Sequence, residues 1–502
     1  MRAQAHRKGG KDLCALKLTA GSVGWVACVA ARSIRPVYGR CVVRSADSDD
    51  PVRRLGILRN GSRAGLPGST PSSTAFTLHR LFLDGATIES RDIDAMEPDF
   101  ARSLSDEGLI EQVPAGVRAT VRISQWRGLL IAHDPPPGDR IPSDIVLRPS
   151  PTTRTVAALT VRRRCRSALD VGTGCGALAL LAAAHADEVV ATDVNPRALW
   201  FTDLNARLNG IENVRCVEGD LFNPVSGGSF DLVMGNLPFV LSPDTEYLFR
   251  DGARGDGGDI SERAVAAAAD VLAPDGFATL LVNWVVTDHE APTATALSWV
   301  RASGCSGLVL SHSLQSPRVY AAKWAQGSAD SVEDWVDYLR ERGADAVANG
   351  AVILHRSTPR KIRSARMSVS PSAEGGRQVE RIFAASALDD AAVRASRPKL
   401  VMPHTTTARV RHDATGTTRQ PIEIRLDDTA GVVGIVQPAV AEVLDRLDGE
   451  VTVGDALAAQ RVASPEMVSP EMEAAVANTV RALVFAGIME PGDEMPVAAH
   501  LN

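Results

Sequence analysis

The feature that most constrains the fold is an alternation of short apolar segments with longer amphipathic segments between residues 163 and 356. Strands that alternate with helices in this way predict a mostly parallel sheet with helices on both faces, which is the α/β class. In such sheets, ligands bind where the strands end. The sequence predicts five strands and three closing ones: Ser167–Val171, Glu188–Thr192, Asn213–Val217, Phe230–Met234, Phe277–Val282, Gly307–Leu314, Val319–Trp324 and Ala351–His355.

The first of these strands runs directly into a glycine-rich turn, Gly172-Thr-Gly-Cys-Gly176. Glycines permit positive φ angles and let the backbone approach a ligand closely. A dinucleotide fingerprint would need its third glycine one residue later, in order to seat a pyrophosphate on a helix end. The turn therefore indicates a cofactor site of a different kind.

The next three predicted strands also end in residues suited to bind a ligand. Asp193 ends the second strand, where a carboxylate can accept two hydrogen bonds from the hydroxyls of a ribose. Asp220 and Leu221 follow the third strand, and the fourth runs into Asn236-Leu-Pro-Phe239. All four motifs are expected to meet at one edge of the sheet.

This series of motifs resembles the class I S-adenosylmethionine-dependent methyltransferases. The segments Leu147–Thr160, Phe249–Asp251 and Leu281–Trp284 are similar to an actinobacterial group of multidomain methyltransferases related to the HemK/PrmC glutamine methyltransferases. The resemblance implies a Rossmann-like sheet of seven strands, with S-adenosylmethionine as the cofactor. It covers more than half of the chain.

The resemblance also assigns roles to individual residues. Asp170 would face the cationic end of the methionine moiety, Asp220 would contact the adenine amine, and Leu221 would pack on the adenine ring. Asn236, Leu237, Pro238 and Phe239 would place the methyl acceptor. The full set of expected cofactor-binding residues is Asp170, Gly172, Thr173, Gly174, Gly176, Asp193, Asp220 and Leu221.

An Asn-x-Pro-Phe segment suits methyl transfer to a planar nitrogen. The lone pair of an amide or nucleobase NH₂ group is delocalised, so the nitrogen is a poor nucleophile. Two acceptors, the Asn236 side-chain oxygen and the carbonyl of residue 237, can hold its two N–H groups and favour the developing charge. Phe239 can stack on the planar group. Leu237 replaces the first proline of the family pattern, which keeps that carbonyl but loses the fixed φ.

Polar and breaker-rich stretches predict further parts around this domain. Residues 1–73 are rich in Arg and Lys and are expected to be a disordered basic leader. Residues 74–150 predict a winged-helix-like N-terminal domain, with two helices before the strands Ala119–Ile123 and Gly128–Ala132. The methyltransferase domain is expected at 151–356, an irregular linker at 357–400, and a mainly helical C-terminal domain at 401–502.

Composition limits the possible functions and partners. The net charge of −6 argues against a polycation that coats nucleic acid, although nucleic-acid binding by one part stays possible. The apolar runs are too short or too often interrupted by charge for a membrane span. The seven cysteines include no CxxC pair and no metal-ligand spacing, so we predict a cytoplasmic protein with free thiols and no metal site.

The methyl acceptor stays open at this stage. We expect an N-methyltransferase that acts on a protein glutamine, an RNA or DNA base, or a small metabolite. One alternative is an O- or N-methyltransferase of a secondary metabolite. Another is a winged-helix regulator that carries a catalytically dead methyltransferase fold. The sequence does not determine the oligomeric state.

Overall fold

The computed structural model describes residues 50–58, 74–137, 141–243, 260–325, 330–386, 392, 395–413, 416–464 and 469–492. The chain divides into two compact units, Met1–Cys41 and Val42–Asn502, and the described residues all belong to the second. None of their helices is both long and apolar enough to cross a membrane.

Helices come first in the N-terminal region, and two β-hairpins follow. The predicted helix with Leu78, Leu81 and Phe82 is confirmed, and Gly85 ends it with φ of +67°. The predicted strand Gly128–Ala132 matches the last of four strands, whereas the predicted Ala119–Ile123 spans the end of the second strand and the start of the third. The hairpin of the first two strands was not predicted. The elements are α1 (Pro51–Arg54), α2 (Thr74–Leu78, continued by a π-helical turn, His79–Asp84), α3 (Ser90–Asp94), α4 (Pro98–Asp106), β1 (Ile110–Val113), β2 (Gly116–Ala119), β3 (Arg122–Trp126) and β4 (Leu129–His133).

The prediction that residues 1–73 form a disordered leader is wrong for residues 50–58, the part of that segment that the structure describes. Residues 50–58 contain α1, and Val52, Leu55 and Leu58 are at most 1% exposed within the main core. The helix was missed because these spaced apolar residues lie in an Arg-rich segment, whose composition is typical of a disordered tail. The rest of the predicted leader lies outside the described residues.

The central sheet has helices on both faces, as predicted for the α/β class, and it has eight strands where the family resemblance implied seven. Its order is β7-β6-β5-β8-β9-β11-β10-β12, and β11 runs antiparallel to both of its neighbours. The elements are α5 (Pro151–Leu159), β5 (Cys165–Val171), α6 (Ala177–Ala182), β6 (Ala186–Asp193), α7 (Pro196–Asn209), β7 (Val214–Glu218), β8 (Phe230–Gly235), α8 (Ile260–Val271), β9 (Leu272–Val286), α9 (Ala294–Ala302), β10 (Ser306–Gln315), α10 (Pro317–Trp324), α11 (Val332–Glu341), β11 (Ala346–His355) and β12 (Ile362–Arg366).

Two predictions for this region are corrected. Val319–Trp324 was expected to be a strand because it is rich in β-branched and aromatic residues, but Ser316 caps a helix there, with Pro317 as its first residue. Residues 357–400 were expected to be irregular, yet they supply β12 and the helix Gly376–Ser386. Both faces of the sheet are buried, in separate apolar cores.

The C-terminal region, which was expected to be mainly helical, contains both helices and strands. Its helices were predicted from their apolar faces, and Ser469 caps the last one as expected, with Pro470 in first position. A small sheet of β14, β17 and β18 was not predicted. The elements are α12 (Gly376–Ser386), β13 (Lys399–Leu400), β14 (His404–Thr407), β15 (Val410–Asp413), β16 (Gly416–Arg419), β17 (Ile422–Leu426), β18 (Gly434–Val436), α13 (Pro438–Leu444), α14 (Val453–Ala463), α15 (Pro470–Phe485) and β19 (Met489–Glu490).

Candidate active site

A cavity of about 320 Å³ lies at the carboxyl ends of β5, β6 and β8. The strand order reverses between β5 and β8, and ligands of open α/β sheets bind at such a point. The volume is at the lower end of the range of roughly 300–1,000 Å³ that small-molecule sites occupy. Nine residues predicted from sequence line it: Gly172, Thr173, Gly174, Asp193, Leu221, Asn236, Leu237, Pro238 and Phe239.

The glycine-rich turn is fastened to the end of β6. The backbone N–H of Gly174 donates to Asp193 Oδ2 at 2.9 Å, and the N–H of Asn195 donates to Asp193 Oδ1 at the same distance. Gly174 has φ of +57°, and a Cβ added there would meet no atom within 4 Å. The turn therefore leaves open space above its backbone, beside a carboxylate whose orientation is fixed.

Asp170 is fully buried and does not line the cavity, so the structure does not place it against a ligand. Its Oδ2 accepts hydrogen bonds from Thr173 Oγ1 at 2.7 Å and from the N–H of Ala179 at 2.9 Å. Burial, with the charge of Asp193 adding to it, raises the pKa of Asp170 to about 7. Asp170 thus joins the turn to the start of α6 from below.

Gly176 and Asp220 also lie outside the cavity lining. A Cβ at Gly176 would lie 2.9 Å from Cγ2 of Thr202, so this glycine permits close packing of α6 on α7. Asp220 Oδ2 lies 3.6 Å from a guanidinium nitrogen of Arg263 on α8. Leu221, the next residue, does line the cavity, and its φ is +48°.

The two polar atoms of the Asn236 side chain have different surroundings. Its Nδ2 donates to Thr153 Oγ1 at 3.1 Å. Its Oδ1 is buried and has no hydrogen-bond partner within the described residues. A buried carbonyl oxygen without a partner is costly, so this atom is suited to accept an N–H group from a ligand.

Leu237, which departs from the family pattern, is 3% exposed. Its side chain packs against the glycine-rich turn, because a Cβ at Gly172 would lie 3.3 Å from Leu237 Cδ2. The substitution therefore fills the space under the turn, and the residue keeps its backbone carbonyl.

The chain just after Phe239 is held by α10. The Tyr320 hydroxyl accepts hydrogen bonds from the N–H of Leu241 at 2.9 Å and from Asn283 Nδ2 at 3.0 Å. The same helix supplies Trp324 to the cavity wall. These contacts were missed in the sequence because this helix was expected to be a strand.

Residues 145–153 form another wall that the site prediction left out. Thr152 and Thr153 belong to the segment that carries the family resemblance, and the pattern Ser150-x-x-Thr153 is a recognisable helix cap. Asn195 was also missed; it caps α7, and its Nδ2 donates to the carbonyl of Asp144 at 2.8 Å. Cys175 lines the cavity too, but burial raises the pKa of its thiol to about 12.

The cavity residues fit S-adenosylmethionine. The Asp193 carboxylate lines the cavity and is of the kind that accepts ribose hydroxyls. Leu221 would offer an apolar surface to the adenine ring, and the open space at Gly174 would leave room for the methionine end. No group of His, Cys, Asp and Glu in the described part of the chain could hold a metal ion.

Comparisons with known proteins identify the same kind of enzyme. The family described as "Methyltransferase small domain" matches residues 152–298. A release factor glutamine methyltransferase of Deinococcus radiodurans is 32% identical over 47% of this chain and 84% of its own length. One from Xylella fastidiosa is 29% identical over 39% of this chain and 74% of its own length. The chain therefore belongs to the HemK/PrmC-like family of class I S-adenosylmethionine-dependent methyltransferases.

Proposed function

We propose that the enzyme methylates the side-chain amide nitrogen of a glutamine in a protein. The observation that carries this proposal is the buried Oδ1 of Asn236 at the cavity wall, which has no hydrogen-bond partner among the described residues. The relatives named above are glutamine methyltransferases that act on release factors, which supports the same acceptor here. A release factor is accordingly the first acceptor to test.

The site suits an amide NH₂ group because it offers acceptors rather than a strong base. Asn236 Oδ1 and the carbonyl of Leu237 can each accept one N–H, which turns the nitrogen lone pair toward the methyl donor. S-adenosylmethionine supplies a methyl group on a sulfonium. Transfer would join the nitrogen to that carbon, leave the electron pair of the broken carbon–sulfur bond on the sulfur, and release one N–H proton of the amide to solvent. Correct placement of the nitrogen supplies much of the rate.

Phe239 would support the acceptor from one side. It lines the cavity at 8% exposure and therefore presents only a small part of its ring. A planar amide can pack on an aromatic edge or face of this kind. The comparisons lend no support to a secondary-metabolite enzyme or to a catalytically dead regulator.

We further propose that residues 74–150 form a winged-helix-like domain that guides the acceptor to the cavity. Its last strand, β4, is bound by Asn205 and Asn209 of α7, and the loop that follows reaches the cavity wall at residues 145–150. The limits 151–356 for the catalytic domain and 401–502 for a C-terminal domain stay proposals as well. A cytoplasmic location fits the cofactor, which is made there.

The experiment that tests the acceptor uses S-adenosylmethionine with a tritiated methyl group. The purified enzyme is incubated with unmethylated release factor, with the protein fraction of a cell extract, and with its nucleic acids. We expect label that protease releases and nuclease does not, and mass spectrometry should find it on the amide nitrogen of glutamine. Label only in nucleic acid or small molecules would overturn the proposal.

Asn236→Ala is the matched variant for this experiment. It should bind S-adenosylmethionine as the wild type does, because Asn236 is placed to hold the acceptor. It should lose most of its turnover, since one of the two acceptors for the nitrogen is gone. Full activity in this variant would contradict the role of Asn236.

A further inference from the structure

The cap of helix α5 touches the Asn236 side chain directly. Ser150 precedes the helix, and its Oγ accepts the N–H of Thr153 at 3.1 Å. In return, Thr153 Oγ1 accepts the N–H of Ser150 at 3.2 Å. The same Thr153 Oγ1 accepts Nδ2 of Asn236 at 3.1 Å. The cap thus reaches from the start of a helix to the residue that is placed to hold the acceptor.

The hydrogen bonds around Thr153 Oγ1 favour the NH₂ end of the Asn236 amide as its partner, and the structure has Nδ2 on that side. A hydroxyl has one proton and two lone pairs. The N–H of Ser150 and Nδ2 of Asn236 occupy the lone pairs, and Ser150 Oγ, 3.0 Å away, is placed to take the proton. Ser150 Oγ can in turn donate its own proton to Thr152 Oγ1 at 2.6 Å. When Thr153 donates its proton to Ser150 Oγ, it accepts from Asn236 and has no proton left to donate to it.

We propose that Thr153 is a positioning residue that fixes the orientation of the Asn236 amide, so that Oδ1 rather than the NH₂ group is available to the acceptor nitrogen. This proposal rests on the proposed function, because the orientation matters only if the acceptor presents N–H groups. An Asn236 amide turned by half a rotation would offer donors to donors and repel the substrate.

Removal of the Thr153 hydroxyl should allow the Asn236 amide to adopt either orientation. Asn236 Nδ2 would then be buried against a methyl group. If the Asn236 amide rotated by half a turn, its NH₂ group would face the cavity and could find a hydrogen-bond partner there. Leaving a buried donor unpaired costs about 1.4 kcal/mol, which corresponds to about a tenfold loss of the productive orientation. The cofactor-binding residues Gly174 and Asp193 do not contact Thr153 through any of these bonds.

The first test compares Thr153→Val, which keeps the shape, with Thr153→Ser, which keeps the hydroxyl. Thr155→Val is the matched control on the same helix, because among the described residues the Thr155 hydroxyl donates to the carbonyl of Pro151 at 3.2 Å and not to Asn236. With release factor as the methyl acceptor, we expect Thr153→Val to lower turnover about tenfold, and Thr153→Ser to restore most of it. Calorimetry should show S-adenosylmethionine affinities within about twofold of the wild type in all three variants.

A second measurement does not depend on catalysis. In protein labelled with ¹⁵N-asparagine, the Asn236 side-chain NH₂ signal is the one missing from Asn236→Ala. Its protons should exchange slowly with solvent in the wild type and several-fold faster in Thr153→Val, whereas Thr155→Val should leave the rate unchanged.

These measurements separate the two ideas. If no protein accepts a methyl group but the NH₂ protons are protected by Thr153, the proposed function is wrong and the orientation stands. Unprotected NH₂ protons in the wild type would overturn the inference, and so would full turnover in Thr153→Val. A loss of cofactor affinity that matches the loss of turnover would also overturn it, since Thr153 would then act only through general stability.

Discussion

We expect Asn205→Ala and Asn209→Ala to destabilise the protein equally, while only the first weakens cofactor binding. Both side chains bind the edge of β4 as a neighbouring strand would. Asn205 pairs with the N–H and carbonyl of Ala132 at 2.6 and 2.9 Å, and Asn209 pairs with those of Leu130 at 3.0 and 2.7 Å. The third bond differs, since Asn205 Nδ2 also donates to the carbonyl of Cys175 in the glycine-rich turn at 2.9 Å.

The magnitudes follow from the bonds lost. Each variant loses at least three buried hydrogen bonds, because Asn209 Nδ2 also donates to the carbonyl of Asn205 at 2.7 Å. At about 1 kcal/mol each, the free energy of unfolding should fall by about 3 kcal/mol in both variants. Only Asn205→Ala leaves the Cys175 carbonyl without this donor. We expect about a fivefold loss of S-adenosylmethionine affinity there, which corresponds to about 1 kcal/mol.

The assay combines denaturant unfolding with calorimetric titration of S-adenosylmethionine into the wild type and both variants. Asn209→Ala should bind the cofactor within about twofold of the wild type despite its lower stability. Equal affinities in the two variants would refute the reasoning, since the bond to Cys175 would then have no effect on the cofactor site.

Three further changes probe the cofactor end of the site. Asp193→Ala should weaken S-adenosylmethionine binding more than about tenfold in calorimetry, because it removes the ribose acceptor and two charge-assisted bonds to the backbone; unchanged affinity would contradict that role. Burial raises the pKa of Asp170 to about 7, so ionisation opposes folding, and stability is lost as the pH rises from about 4 to about 7. The melting temperature of the wild type should therefore fall relative to that of Asp170→Asn across this range, and a constant difference would exclude such an ionisation. Gly176→Ala should lower the free energy of unfolding by about 2–4 kcal/mol, since φ is +77° and the new Cβ would lie 2.9 Å from Thr202; denaturant unfolding with a loss below about 1 kcal/mol would disprove the tight contact.

Strand ends and local spacing allowed the part of the cavity wall at the strand ends to be predicted, which is nine of its lining residues. Gly174, Asp193 and Asn236 each follow an apolar strand, and parallel strands bring their carboxyl ends together. The chemistry of each residue type then limited what it could bind. The family resemblance supplied the identity of the cofactor, which spacing alone did not.

Burial and long-range packing account for what the sequence did not reveal. Asp170 has the residue type of a ligand contact, but only the fold shows that it is completely covered. Helix α10 was misread because Val319 and Trp324 favour strands, while the cap at Ser316 decides the local structure. The role of Thr153 depends on a contact with a residue far away in the chain, which a local pattern does not contain.

Strand β12 has a consequence for how this enzyme can be shortened. It pairs with β10 at the edge of the sheet, and helix α12 comes next in the chain. The start of α12 packs against the end of α5, where a Cβ at Gly376 would lie 2.2 Å from the carbonyl oxygen of Thr160. A fragment limited to residues 152–298 would lack β10, β11 and β12, so β9 would become a long edge strand with one side unpaired. Exposed edge strands of this kind pair with strands of other chains, so the segment 152–298 should aggregate when it is expressed without the residues that follow it.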